Sequence, residues 1–294
     1  MTSTRTAALS AIAILFIATA LPATAAAFPA SREGAPRTPS AKSMPASVRP
    51  ESRGTAAHGR RSPTIVLVHG ADAESSSWDG VILRLQAKGY PVIAFANPLR
   101  SLAGDAASLK DLLRTIRGPV VLVGHSYGGM VISVAAAGNR HVKSLVFVDA
   151  QIPLPGETAA ELTNKYPGSQ FGAALVQRPF TLPDGTKGTD LYVDPAKYRS
   201  LFTGPKVSPR RALALAAIQR PVALSALNEP ATAAAWRDVP SWDVIGTEDT
   251  AIPPASQRFM GERAQSHITE IPAPHASMLT FPGPIAAVIE DAAR

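Results

Sequence analysis

The sequence predicts an α/β fold: a mainly parallel sheet of about six strands, helices on both faces, and an inserted, mostly helical cap. Three observations predict it. Short unbroken apolar runs, such as Thr64–Gly70 and Val120–Val123, have the composition of strands buried on both faces. They alternate with segments of helical periodicity, the pattern of parallel sheets wrapped by helices. The alternation then lapses for about ninety residues, Gln151–Pro240, too long for a structureless loop in a compact domain.

The elements follow in chain order. Thr64–Gly70 forms the first strand, and Trp78–Lys88 a helix with Trp78, Val81, Ile82 and Leu85 at helical spacing and Gly89 as its C-cap. Pro91–Phe95 is the second strand. The helix Leu102–Ile116 carries Leu102, Leu109, Leu112, Leu113 and Ile116 on one face, with Ser101 as N-cap. Val120–Val123 is the third strand, and Met130–Ala137 reads as a helix of small residues. Val142–Val148 is the fourth strand and ends at Asp149. The cap interval 151–240 has many prolines, scattered aromatic residues and short helical patches such as Arg211–Ile218. The sheet resumes at Ser241–Gly246, continues through helix Pro254–Ala264 and strand His267–Ile271, and closes with helix Pro284–Ala293.

The amino-terminal part has a different character. Arg5, the apolar run Ala7–Leu21 and the Ala25-Ala26-Ala27 cleavage pattern make Met1–Ala27 a Sec-type signal peptide, implying a secreted or periplasmic protein. The run is shorter than the roughly twenty residues of a membrane span, so no stable membrane insertion is expected. Phe28–Ser62 has seven basic and two acidic residues among Pro, Ser, Gly and Ala, the composition of a flexible linker. The net charge of +7 is concentrated there. Residues 1–62 carry eight basic and two acidic groups, against 21 and 20 from Pro63 onward. The folded part of the chain is therefore near neutral, and nucleic acid is not an expected partner. The chain has no cysteine, which excludes disulfides and thiol nucleophiles.

Gly124-His125-Ser126-Tyr127-Gly128 matches G-x-S-x-G between a strand and a helix, the context of a nucleophile elbow. The turn strains the serine backbone, and a Cβ at Gly124 or Gly128 would collide with the neighbouring helix or strand. A serine hydroxyl needs a base, and the base needs an orienting acid, in the chain order Ser, acid, His. Of six histidines, His275, between the last strand and last helix, stands where that order requires it. His69 and His125 lie at the sheet's upper rim, in supporting positions. The acid falls in Gly246–Pro253, where Asp249 is preferred over Glu248, with Asp149 as an outside alternative. The two oxyanion donors are the amides of Tyr127, after the nucleophile, and Ala71, in the loop after the first strand. Ser76, Ser77 and Trp78 read as structural caps of the first helix. No zinc, Walker or dinucleotide motif is present, so neither metal nor cofactor is expected.

These motifs together, His-Gly-Ala, Gly-His-Ser-Tyr-Gly-Gly, Gly-Thr-Glu-Asp-x-x-Ile-Pro-Pro and His-Ala-Ser-Met-Leu, resemble the small α/β-hydrolase esterases. They are most similar to bacterial relatives of the plant methylesterase and hydroxynitrile lyase group. The resemblance runs from Thr64 to the C-terminus, including Gln219–Ala223 and Trp236–Trp242. It implies an α/β-hydrolase fold and a triad of Ser126, Asp249 and His275, with the Ala71 and Tyr127 amides as oxyanion hole. The implied function is hydrolysis of small to medium carboxylic esters. It also leaves perhydrolase (haloperoxidase) activity on the same triad, and a silent small-ligand binder is a further alternative. Lyases of the group have threonine where Gly70 stands and lysine directly after the histidine, where this chain has Ala276. Lyase chemistry is disfavoured accordingly.

Overall fold

The computed structural model describes residues 62–294. The expected signal peptide, Met1–Ala27, and all but the last residue of the expected linker, Phe28–Ser62, lie outside the described residues. Nine strands are present among them: β1 (Thr64–Val68), β2 (Val92–Phe95), β3 (Val120–His125), β4 (Val142–Val148), β5 (Leu175–Thr181), β6 (Lys187–Val193), β7 (Val222–Ala223), β8 (Ser241–Gly246) and β9 (His267–Ile271). Six form one all-parallel sheet in the order β2-β1-β3-β4-β8-β9.

Alternation of side chains along each strand divides the core between the two faces. Ile65, Leu67, Val121 and Val123 pack with Val81, Leu85, Ile285 and Ile289, from helices Asp79–Ala87 and Pro282–Ala292. Val66, Val68 and Leu122 pack with Leu109, Leu113, Met130 and Val131, from helices Leu102–Thr115 and Gly128–Ala135. Both faces are covered, so the strands are apolar throughout, as the unbroken runs require.

The order of strands reverses between β1 and β3, and that switch point opens a crevice at their carboxyl ends. Val68 pairs with Gly124, which brings the loop His69-Gly70-Ala71 level with His125-Ser126-Tyr127. Gly246 pairs with Ile271, which brings the segment carrying Asp249 level with the one carrying His275.

In the interval 151–240 helices predominate, among them Ala159–Thr163, Pro209–Ala217 and Leu224–Asn228. They are accompanied by something the periodicity did not indicate, a three-stranded antiparallel sheet β5-β6-β7. Its hairpin turns at Asp184-Gly185, where Gly185 adopts φ 85°, and the Gly185 N–H donates to the Leu182 carbonyl. The Phe180 ring fills the space that a Cβ on Gly188 would need.

Candidate active site

Ser126 sits at the tip of the turn between β3 and helix Gly128–Ala135, with φ 52°. A non-glycine residue in this left-handed region is strained and persists only where the surroundings hold it. They do so through closely packed backbone. A Cβ on Gly124 would lie 2.6 Å from the Gly128 carbonyl oxygen, and one on Gly128 would lie 2.5 Å from the Val68 carbonyl oxygen. One on Gly70 would lie 2.6 Å from the Ser126 Cβ, so the loop after β1 presses directly on the serine. The Ser126 N–H donates to the Val148 carbonyl at 3.2 Å, tying the turn to the end of β4.

The structure brings Ser126, His275 and Asp249 together. His275 Nε2 lies 3.0 Å from Ser126 Oγ and Nδ1 lies 2.8 Å from Asp249 Oδ2. With the Nδ1 proton donated to the carboxylate, Nε2 is free to accept the serine proton. Asp249 is held by three further donors. Its Oδ1 accepts the N–H groups of Ala251 at 2.7 Å and Ile252 at 2.9 Å, and Oδ2 accepts Gln257 Nε2–H at 2.7 Å. Glu248, the neighbouring choice, is exposed, and its N–H donates to the Ala273 carbonyl.

Asp149 is buried beside this group but bonds elsewhere, accepting N–H groups from Gly246 at 2.9 Å and Ser277 at 3.2 Å. Burial, reinforced by the Asp249 carboxylate, pushes its carboxyl well above the ordinary range, which favours the neutral form. The supporting histidines are buried at the rim, as their positions after β1 and in β3 predict. His125 Nε2–H donates to the His275 carbonyl at 3.0 Å, and the two rings are 4.8 Å apart. His69 Nε2 accepts the Asn97 N–H at 3.0 Å, so its proton is on Nδ1, toward the Gly70 carbonyl. Burial lowers the His69 imidazole to about 4 and takes His125 well below its ordinary value. Both are neutral at physiological pH.

Ala71 and Tyr127 both border the cavity above Ser126, and among the described residues neither backbone N–H donates to a protein acceptor. The Tyr127 side chain points the other way, its hydroxyl donating to Asp105 Oδ2 at 2.9 Å. Ser77 and Trp78 are buried in a short 3-10 turn, Ser75–Trp78, that leads into the first helix.

Sequence patterns gave no sign of several contributors from the cap. Phe202 lies edge-on to the His275 ring at 5.1 Å and stacks on Tyr198 at 4.9 Å. Its carbonyl also accepts the Ala276 N–H at 2.8 Å, so one π-helical turn, Arg199–Thr203, touches the histidine with a side chain and the next residue with its backbone. Gln257 was equally hidden, although its place in the first turns of the helix after Asp249 is a natural one for a donor to that acid. The cavity has a volume of about 180 Å³ and is walled mainly by apolar side chains, including Leu175, Leu191, Leu227 and Ile252. Among the described residues there is no cluster of three or more His, Cys, Asp or Glu arranged to hold a metal. None of their helices is long and apolar enough to cross a membrane.

A parallel sheet of this order, with a strained serine at the switch point and a histidine after the last strand, defines an α/β-hydrolase. The chain belongs to the alpha/beta hydrolase family, whose model matches residues 65–288. An alpha/beta hydrolase, nvfD, from the fungus Aspergillus novofumigatus is 27% identical over 79% of this chain and 96% of its own length. A pyrethroid hydrolase of Sphingobium wenxiniae is 27% identical over 77% of this chain and 86% of its own. A carbendazim hydrolyzing esterase of a Nocardioides species is 33% identical over a shorter stretch, 34% of this chain and 47% of its own. Among solved structures, polyneuridine aldehyde esterase superposes with a TM-score of 0.68 at 20% identity, covering 79% of this chain and 99% of that one. A plant methylesterase from Arabidopsis superposes with a TM-score of 0.64 at 17% identity, over 78% of this chain and 98% of that one. The structural likenesses establish the shared fold.

Proposed function

We propose that the protein is a cofactor-free serine esterase that cleaves small to medium carboxylic esters through an acyl-enzyme on Ser126. The observation that carries this reading is the 3.0 Å approach of His275 Nε2 to Ser126 Oγ, with Asp249 on the far side of the ring. In this reading His275 Nε2 takes the serine proton as Oγ bonds to the ester carbonyl carbon. The negative oxygen of the tetrahedral adduct rests on the Ala71 and Tyr127 N–H groups. Loss of one such donor costs about 2.7–4 kcal/mol in comparable enzymes. The bond from carbon to the alcohol oxygen then breaks, and that oxygen leaves with the proton from His275. Water, deprotonated by the same nitrogen, attacks the acyl carbon, and Ser126 departs with its proton restored. Asp249 keeps Nδ1 protonated and stabilises the imidazolium at each stage.

The apolar wall and modest volume of the cavity support a compact apolar group as its occupant. The names of two relatives, an esterase and a hydrolase, support hydrolysis as the reaction class. Turnover of a graded series of p-nitrophenyl esters, beside the Ser126→Ala variant, tests the reading. The expected result is activity that falls with acyl length and disappears in the variant. Near wild-type turnover by the variant would contradict it, and peracid formation without ester hydrolysis would move the assignment to a perhydrolase.

Export belongs to the same proposal and rests on the Met1–Ala27 signal pattern. Amino-terminal sequencing of protein recovered from medium or periplasm should begin after Ala27, whereas an intact Met1 there would contradict it.

A further inference from the structure

The cap reaches the loop after β1 as well as the histidine. Tyr198, at the end of the short helix Pro195–Tyr198, donates its hydroxyl proton to the Asp72 carbonyl at 3.1 Å. On the other side of the same residue, the Asp72 N–H donates to the Arg220 carbonyl at 3.0 Å. Tyr198 and Arg220 both belong to the interval 151–240, so two consecutive peptide units of the loop are tied to the cap. Tyr198 and Asp72 are both buried. Water does not compete for such a bond, and removal of the hydroxyl would leave a buried carbonyl without that donor.

Asp72 directly follows Ala71, whose N–H is one of the two proposed oxyanion donors. Its backbone has φ 54°, a left-handed geometry that persists only where such ties hold it. Peptide units are planar, so only the φ and ψ torsions of Ala71 separate the unit that carries the Asp72 N–H from the one that carries the Ala71 N–H. On the far side, Gly70 is packed against Ser126, where an added Cβ would lie 2.6 Å from the serine Cβ. Ala71 is thus held between the nucleophile and the cap. The Tyr198 ring is fixed in turn by its stack on Phe202, the ring that stands edge-on to His275.

We infer that Tyr198 is a positioning residue for the oxyanion hole: by holding the Asp72 carbonyl, its hydroxyl aims the Ala71 N–H at the oxygen that becomes negative when Ser126 adds to the ester. The aromatic pair Tyr198 and Phe202 then serves both halves of the reaction, the hole through the hydroxyl and the base through the second ring. Tyr198 does not border the cavity and acts only through the loop. A donor aimed in advance costs no reorganisation when charge develops, which is how a residue without substrate contact alters the rate. The inference rests on the esterase reading, because it takes the Ala71 N–H as a donor to the tetrahedral adduct.

Tyr198→Phe keeps the ring and deletes the donor. The expected result is a fall in kcat for a p-nitrophenyl ester of about five- to tenfold, the scale of one neutral hydrogen bond. KM should hardly change, because the oxyanion exists only in the adduct. A trifluoromethyl ketone supplies the second readout. Ser126 Oγ bonds to its carbonyl carbon, His275 Nε2 takes the serine proton, and the carbonyl oxygen keeps the displaced electron pair in the hole. The preference for this ketone over the matching methyl ketone, read from the two inhibition constants, should shrink in the variant by the same factor as kcat. Replacement of Tyr198 by 4-aminophenylalanine, which returns a weaker donor to the same ring position, should give values between those of the variant and the wild type. Circular dichroism and the melting temperature report whether each protein is folded. Unchanged kcat and ketone preference in folded Tyr198→Phe, whatever its melting temperature, would overturn the inference and leave the esterase reading intact. If Tyr198→Phe does not fold, the 4-aminophenylalanine protein decides alone, and wild-type values in both readouts would overturn the inference. No hydrolysis of any ester by the wild type, with no inhibition by the trifluoromethyl ketone, would overturn both.

Discussion

Along the carboxyl rim of the sheet, polar atoms are fixed by several partners at once, and Asp249 alone accepts four hydrogen bonds. Across the cavity the cap answers with Leu175, Leu191, Leu224 and Leu227, side chains that hold position by packing. The rim is built for orientation, where small displacements are costly. The cap is built for volume and shape, where substitutions shift preference among ligands. Phe202 and the segment around it join the two regions, because they touch His275 from the cap side.

The largest effect should come from the rim. Asp249→Asn would leave the imidazole in the wrong tautomer, and kcat is expected to fall on the order of ten-thousand-fold with the fold intact. Steady-state kinetics with far-ultraviolet circular dichroism check this, and a loss below about tenfold would dissolve the distinction between rim and cap.

Phe202→Ala should act on both regions, since it empties a buried ring site and releases one side of His275. The expected cost is about 3–5 kcal/mol in denaturant unfolding, with a lower kcat in the folded fraction. A stability loss with no change in kcat would reduce its contact with His275 to packing alone.

A pH experiment sharpens the account of the rim. His69 is held near 4 by burial, against about 6.5 in the unfolded chain. The unfolded state therefore binds the extra proton first, so stability is full above about 6.5 and declines as pH falls. The decline from this residue saturates near 4 and amounts to about 3 kcal/mol. Unfolding midpoints at pH 7 and pH 4.5 should differ less in His69→Gln than in the wild type, and an unchanged difference would remove His69 from the explanation.

The smallest effect should come from the cap wall. Leu224 is 40% exposed at the cavity edge, so Leu224→Ala should cost under about 1 kcal/mol of stability. It should move the relative preference for longer acyl chains by a few-fold. A complete loss of activity would make this wall residue part of the chemistry.

The same contrast explains which features could be read before the structure. The sheet strands announce themselves because burial on both faces demands unbroken apolar runs, and Val142–Val148 and Ser241–Gly246 fall where those runs do. The grouping of Ser126, Asp249 and His275 was legible because the order expected of nucleophile, acid and base puts each candidate after a recognisable strand. The hairpin β5-β6 was obscured by the exposure of β5, by polar residues in both strands and by Pro179 within β5. Its Asp184-Gly185 turn was a genuine signal, outweighed by the helical patches on either side. Phe202 had no signal at all, because its contact with His275 comes from across the cavity, which neither periodicity nor motif encodes.

The most direct test of the central claim is intact-mass spectrometry with peptide mapping after brief exposure to a fluorophosphonate, comparing wild type with His275→Ala. A single adduct on Ser126 in the wild type, greatly slowed in the variant, is the predicted result. An adduct on another serine, or equal labelling without His275, would contradict it.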